Sequence, residues 1–411
     1  MIEVKQSNVR EGADLWFGGR GFDLGFFHVP IWFCWGVAFC LPSSLMYAKM
    51  PIWGWVLIVL LIDVGHVWST VFRTYFDPEH RARNRDLLWG IPLLCFVVAW
   101  LLAYISTALF WRVLAYFALY HFIKQQVGIT ALYHSRLSGV LLRGVDEAER
   151  TQRKAWLGRV RFWDRVCIYI ATGFPILYWH THLPRKISWF SQGDFVSWLM
   201  YTQRLRSVGW GWSVYDVLVW LVVGVWVGSV VGWVGLHIYT AKRYGVGLAW
   251  GKILWVTGTY VNWYLGIVHL DSPFAFALTN VVAHGIPYYG LVYMYTENAW
   301  RDEERAKRLA WTVWQPYLTR RVFSVALFVV PVLLFSFWEE YFWDLLVHGR
   351  DHAAFYGLFL RYPIAAVKEP AWRAFWIAFL TVPQATHYFL DGFLWKATPR
   401  NPSLRRYLGL G

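Results

Sequence analysis

His66, His121, His237, His284 and His387 each stand inside an apolar stretch long enough to cross a lipid bilayer. An ionisable side chain in hydrocarbon costs roughly 2.5–3.5 kcal/mol even on lenient insertion scales, so five such segments need a compensating role. Asp63, His66 and Thr70 are spaced three and four apart, which places them on one helix face, and Gln384, His387 and Asp391 repeat that spacing. Asn280, His284 and Tyr288 advance by four, as do His121 and Gln125. One histidine in such a helix serves packing equally well. Several at one depth point instead to a shared metal ion held by His66, His121, His284 and His387 with Asp63 and Asp391. Gln125, Asn280, Gln384 and His237 are then placed to orient those rings through the nitrogen turned away from the metal. Spacing leaves open whether Asp63, Asp391, Gln125 and Asn280 bind the ion or orient the rings that do.

The donor types narrow the metal. Imidazole with carboxylate suits iron, mononuclear or dinuclear, with manganese or zinc as further choices; copper(I) would want more thioether and thiolate. All four cysteines fall in apolar runs without a CxxC or CxxCH pattern, so they read as small buried hydrophobes. Two histidines on different helices also suffice for haem b, because axial ligation needs no linear motif. A metal buried in lipid meets lipophilic substrates and dioxygen, and the chemistry that follows is hydroxylation, desaturation or carbon–carbon cleavage. Tyr288, Tyr388 and nearby tryptophans would shape an apolar pocket. Arg73, where its segment reaches the cytoplasm, suits an anionic headgroup or carboxylate, so Tyr288 and Arg73 are the expected catalytic side chains.

The elements that must carry these residues are membrane helices. Of 411 residues 57% are hydrophobic and 16% charged, with 30 Trp and 24 Tyr available for the interfaces. Ten segments approach the 20 or so apolar residues a span needs, near 26–48, 51–72, 87–107, 110–133, 163–183, 213–240, 250–270, 273–297, 322–344 and 372–396. The expected fold is all-α, a polytopic transmembrane bundle forming a single integral membrane domain over residues 1–411. The loops assigned inside hold most of the 39 Lys and Arg, which puts both termini in the cytoplasm. A net charge of +14 in short loops suits anionic headgroups; it does not suit nucleic acid. Residues 134–162 and 298–321 read as short amphipathic helices on the inner leaflet. The first 25 residues carry no cleavable signal pattern, and the expected location is the plasma (inner) membrane, multi-pass.

Histidines spread over several spans, with His284-Gly285 and the His387/Asp391 pair, resemble the bacterial Brp/Blh-type membrane carotene dioxygenases. That resemblance implies iron held by histidines on separate helices and oxidative cleavage of a carotenoid. The expected activity is therefore a metal-dependent membrane oxidoreductase, with membrane lipids, dioxygen and a lipophilic molecule as partners. Three other classes fit the same residues. One is a membrane transferase of the acyltransferase type, with His284 and Asn280, or His387 and Asp391, as general base. The others are a proton-coupled transporter and a haem-bearing electron-transfer protein.

Overall fold

The computed structural model describes residues 15–48, 50–182, 185–187, 214–348 and 367–410. Among them the chain forms ten long helices and no strand. These are α1 (Arg20–Cys40), α2 (Ile52–Arg73), α3 (Arg85–Ile105), α4 (Thr107–Leu141), α5 (Glu147–Thr181) and α6 (Val214–Tyr244). Next come α7 (Trp250–Trp263, continued by Tyr264–His269) and α8 (Pro273–Phe276, Ala277–Val281 and Val282–Arg301, end to end). Last are α9 (Arg321–His348) and α10 (Pro370–Leu394). His352, and residues 1–14 used in assigning the inner side, lie outside the described residues.

The chain starts and stops these helices by local chemistry. Ser106, in extended conformation between α3 and α4, accepts a hydrogen bond from Leu109 N at 3.3 Å. Asp146 caps α5 through Glu149 N at 2.8 Å, and Glu369 caps α10 through Ala371 N and Trp372 N.

Five helices (α1, α2, α3, α6 and α9) are long and apolar enough to cross a membrane. The best apolar window of α6 has mean hydropathy 2.3 yet is only 6% buried, so nearly its whole surface needs an apolar surrounding. By contrast α7 and most of Val282–Arg301 in α8 are buried inside the protein. Those inner helices carry Lys252, Asn262, Asn280 and His284, and the same polar groups lower their hydropathy. Of the five apolar helices α6 is the least covered, whereas α2 reaches the centre with His66, beside the polar α7 and α8.

The charged linkers differ from expectation. Residues 134–162 are no leaflet-lying loop. They are the ends of α4 and α5, each 35 residues long, joined by a turn in which Gly144 has φ 69°. A 35-residue helix is about 52 Å long, well over the ~30 Å of a hydrocarbon core. The run after Arg301 is also drawn inward. Arg305 is 3% exposed and donates to Asp77 Oδ1 at 2.8 Å, with Glu79 at 3.6 Å. Carboxylates after α2 thus hold the linker that follows α8. On the same Pro78–Arg83 turn, burial, aided by Arg73 and Arg83, holds the His80 imidazole down to about 4, so it is neutral at pH 7.

Candidate metal centre

His66, His121, His284 and His387 come from α2, α4, α8 and α10, yet one ring nitrogen of each lies within 4.8 Å of the others. All four side chains are buried. The hydrogen bonds around them fix which nitrogens face inward. A carbonyl only accepts, so His66 Nδ1, 3.1 Å from Ile62 O, carries the proton and leaves Nε2 as a lone pair. On α10 the same result follows through a longer relay. Tyr288 donates to Asp391 Oδ1 at 2.8 Å, so its oxygen accepts from Thr70 Oγ1 at 3.0 Å. Thr70 in turn accepts from His387 Nδ1 at 2.8 Å. His387 Nε2 has no hydrogen-bond partner, and neither has His121 Nε2 or His284 Nδ1.

Aromatic packing sets the other two planes. His284 stacks on Phe122, with centroids 4.0 Å apart, and His121 stacks on Tyr388 at 4.6 Å. His284 Nε2 and His66 Nε2 are 3.0 Å apart in a buried setting. At that separation they share either one proton or one cation. The ring nitrogens lie within 4.8 Å of one another, so the four side chains would need to draw together to hold one ion at metal–nitrogen distances of about 2.0–2.1 Å. The donor set fits a metal ion on geometry and on its unpartnered nitrogens.

Backbone shape delivers the rings. π-helical turns at Trp55–Val64 and Ala277–Val281 precede His66 and His284, each turn wider than an α turn. The two helices then touch at Gly285. A Cβ there would lie 2.5 Å from Ile62 Cγ2 and 3.0 Å from Ile62 O, the carbonyl that orients His66. Gly285→Ala is therefore expected to weaken metal binding by roughly 10–100-fold, as loss of an orienting partner does. The check is metal titration of the purified variant, with thermal unfolding showing that the helices still pack.

The other expected site residues fall in several places. Asp391 Oδ2 lies 3.7 Å from His121 Nε2 and Asp391 Oδ1 3.9 Å from His387 Nδ1, while its Oδ1 also accepts from Trp395 Nε1 at 3.2 Å. Asp63 is 3.8 Å from His66 Nδ1, on the side away from the inward nitrogen. Both carboxylates flank the rings. Gln125 Nε2 donates to His284 O at 2.9 Å and so braces α8 without touching the ring. Asn280 donates to Asn262 O and Thr279 Oγ1, and Gln384 donates to Tyr388 OH at 2.8 Å.

Two residues lie apart from the group. Arg73 is fully buried below the site, donates to Leu394 O at 3.0 Å and Asn401 Oδ1 at 3.3 Å, and sits 3.6 Å over the Tyr295 ring. With these partners it anchors the segment after α10 through Nη2, while its Nε and Nη1 have no hydrogen-bond partner. His237 does not support any of the four rings. Its Nε2 is 3.1 Å from Asp164 Oδ1, in a second buried cluster with Lys252, His134 and Trp233. Lys252 and Asp164 are charges of opposite sign in separate apolar runs, and that was the sequence signal for the second cluster. Phe122 gave none, since nothing marks one phenylalanine among 29 as the floor under a histidine.

Compared with known proteins, the chain matches no protein family, no curated protein and no solved structure.

Proposed function

We propose that this protein is a ten-span enzyme of the plasma (inner) membrane, with both termini cytoplasmic, that holds iron on His66, His121, His284 and His387 and oxidises a lipophilic substrate with dioxygen. The observation carrying this reading is the convergence of four buried imidazoles with unpartnered nitrogens. The five apolar helices support the membrane setting, and the buried polar α7 and α8 are read as spans shielded by them. Haem b is disfavoured by crowding. Four rings with centroid separations of 4.6–6.5 Å leave no slot for a porphyrin between any two.

Iron on such ligands supplies dioxygen activation. Around it the chain's own groups hold geometry and exclude water. Asp391 keeps its place through Tyr288 and Trp395, and Thr70 fixes the His387 tautomer. Tyr288, which donates to Asp391 Oδ1 and has its ring centroid 4.9 Å from that of His387, links that carboxylate to the rings as a group able to give or take a proton. Cleavage of a carbon–carbon double bond balances with no further reductant: the bond breaks, each carbon gains one oxygen atom of dioxygen, and two carbonyl groups form. That is the activity suggested by the resemblance to Brp/Blh-type carotene dioxygenases.

Metal analysis and an optical spectrum of detergent-purified protein test the reading. One or two irons per chain without a Soret band is the expected result. A Soret band would transfer the site to haem, and protein active without bound metal would favour a transferase using one histidine as base.

A further inference from the structure

A cavity of about 200 Å³ lies between α2, α3 and α10 and ends on His387. Antiparallel packing explains its place. Toward one end, Ala99 and Ala103 of α3 meet Ala374, Ile377 and Ala378 of α10. Toward the other, Leu88 meets Leu390 and Leu394. Between these contacts stand Pro92 and Pro383, one in each helix, where a proline ring removes a helical hydrogen bond and spreads the backbone. The gap opens at the prolines and α2 closes its far side.

The lining changes with depth. Val71, Pro92, Val382 and Pro383 at the mouth are half-buried, whereas Val67, Thr70, His387 and Leu390 at the inner end are buried. Leu93 and Leu94, next to Pro92, are exposed, so the mouth faces the apolar outer surface of the bundle. Most polar groups on the walls are already used. Thr74 Oγ1 donates to Thr70 O, Tyr75 OH to Leu88 O, and Trp68 Nε1 to Glu339. Arg73, the cation of the same helix, is not among the lining side chains and donates through Nη2 to Leu394 O and Asn401. Two polar atoms remain at the inner end: Thr386 Oγ1, with only the Cys95 thiol beside it, and the unpartnered His387 Nε2.

We propose that this gap admits one hydrocarbon chain of a membrane lipid or lipid-like substrate and delivers it sideways to the histidine group. The inference rests on the function proposed above. Its volume is below the 300 Å³ or so at which pockets enclose a whole small molecule, so only a segment enters and the remainder stays in the bilayer. No free cation lines the walls to hold a carboxylate or phosphate, which sets the headgroup outside. The substrate class is thus an extended alkyl or alkenyl chain, with its reacting carbons at the His387 end.

Photolabelling of the full-length protein in lipid nanodiscs, using a fatty acid with a diazirine on its chain, tests this. Crosslinks are expected within 67–75 and 382–390. Val71→Trp and Val382→Trp should each reduce them by about tenfold or more, the scale of one bulky group in a hydrophobic pocket. Labelling of the exposed faces at Leu93 and Phe379 and the bound metal should both persist. Crosslinks confined to those outer faces in the wild type, or undiminished by both plugs, would overturn the proposal. The wild-type map decides the matter if a plugged variant misfolds. Labelling needs no metal, so a protein that binds the chain but no iron would refute the oxygenase and leave the gap intact.

Discussion

Alanine in place of His66, His121, His284 or His387, one at a time, is expected to cost more metal affinity than the roughly 10–100-fold typical of losing an outer partner. The reason is convergence: each ring comes from a different helix, and within the group no neighbour supplies a substitute nitrogen. Asp63 stands beside the His66 nitrogen turned away from the group, and Asp391, whose Oδ2 is 3.7 Å from His121 Nε2, is held through Oδ1 by Tyr288 and Trp395. Iron content by mass spectrometry, compared with expression and thermal unfolding, reads the effect. Thr70→Val supplies the graded control. It frees the His387 tautomer but removes no ligand, so its loss should fall in the 10–100-fold range. Full iron content in all four alanine variants would end the metal proposal.

Lys252→Met should destabilise the fold by roughly 3–5 kcal/mol, the typical result of stripping one partner from a buried ion pair. Lys252 and Asp164 are 0% and 2% exposed. The Asp164 carboxylate also receives Trp233 Nε1 at 2.9 Å and faces His237 and His134 at 3.1 and 3.3 Å. Without the ammonium, that carboxylate is left with neutral donors in a site closed to water. Asp164→Asn alone should be comparably harmful, because it strands the lysine. Combining the two should recover much of the loss, since no uncompensated charge then remains. Denaturant unfolding in detergent checks the cycle, and additive losses would mean that the pair does not act as a unit.

The centre was readable from spacing because a helix repeats every three to four residues and the histidines sit at that interval from other polar groups. His66 with Thr70, and His387 with Asp391, do face one another's helices. Depth gave the rest, since rings at one level on several helices have few other places to go. Depth misjudged His237, because it says nothing about which neighbour a helix face meets, and that ring meets Asp164. Linker 134–162 misled for another reason: charge density marks a segment as wet, but it does not separate a short helix in a loop from the ends of two long ones.

Because the first and last of the four rings stand at positions 66 and 387, a long stretch of chain must be made after the first before the fourth can take its place. Until then at most three of the four imidazoles are present, and α10 has yet to pack against the others. An ion held by all four rings would therefore bind only once α10 has packed, and chains cut short before α10 would leave the remaining nitrogens open to whichever ion the cell supplies.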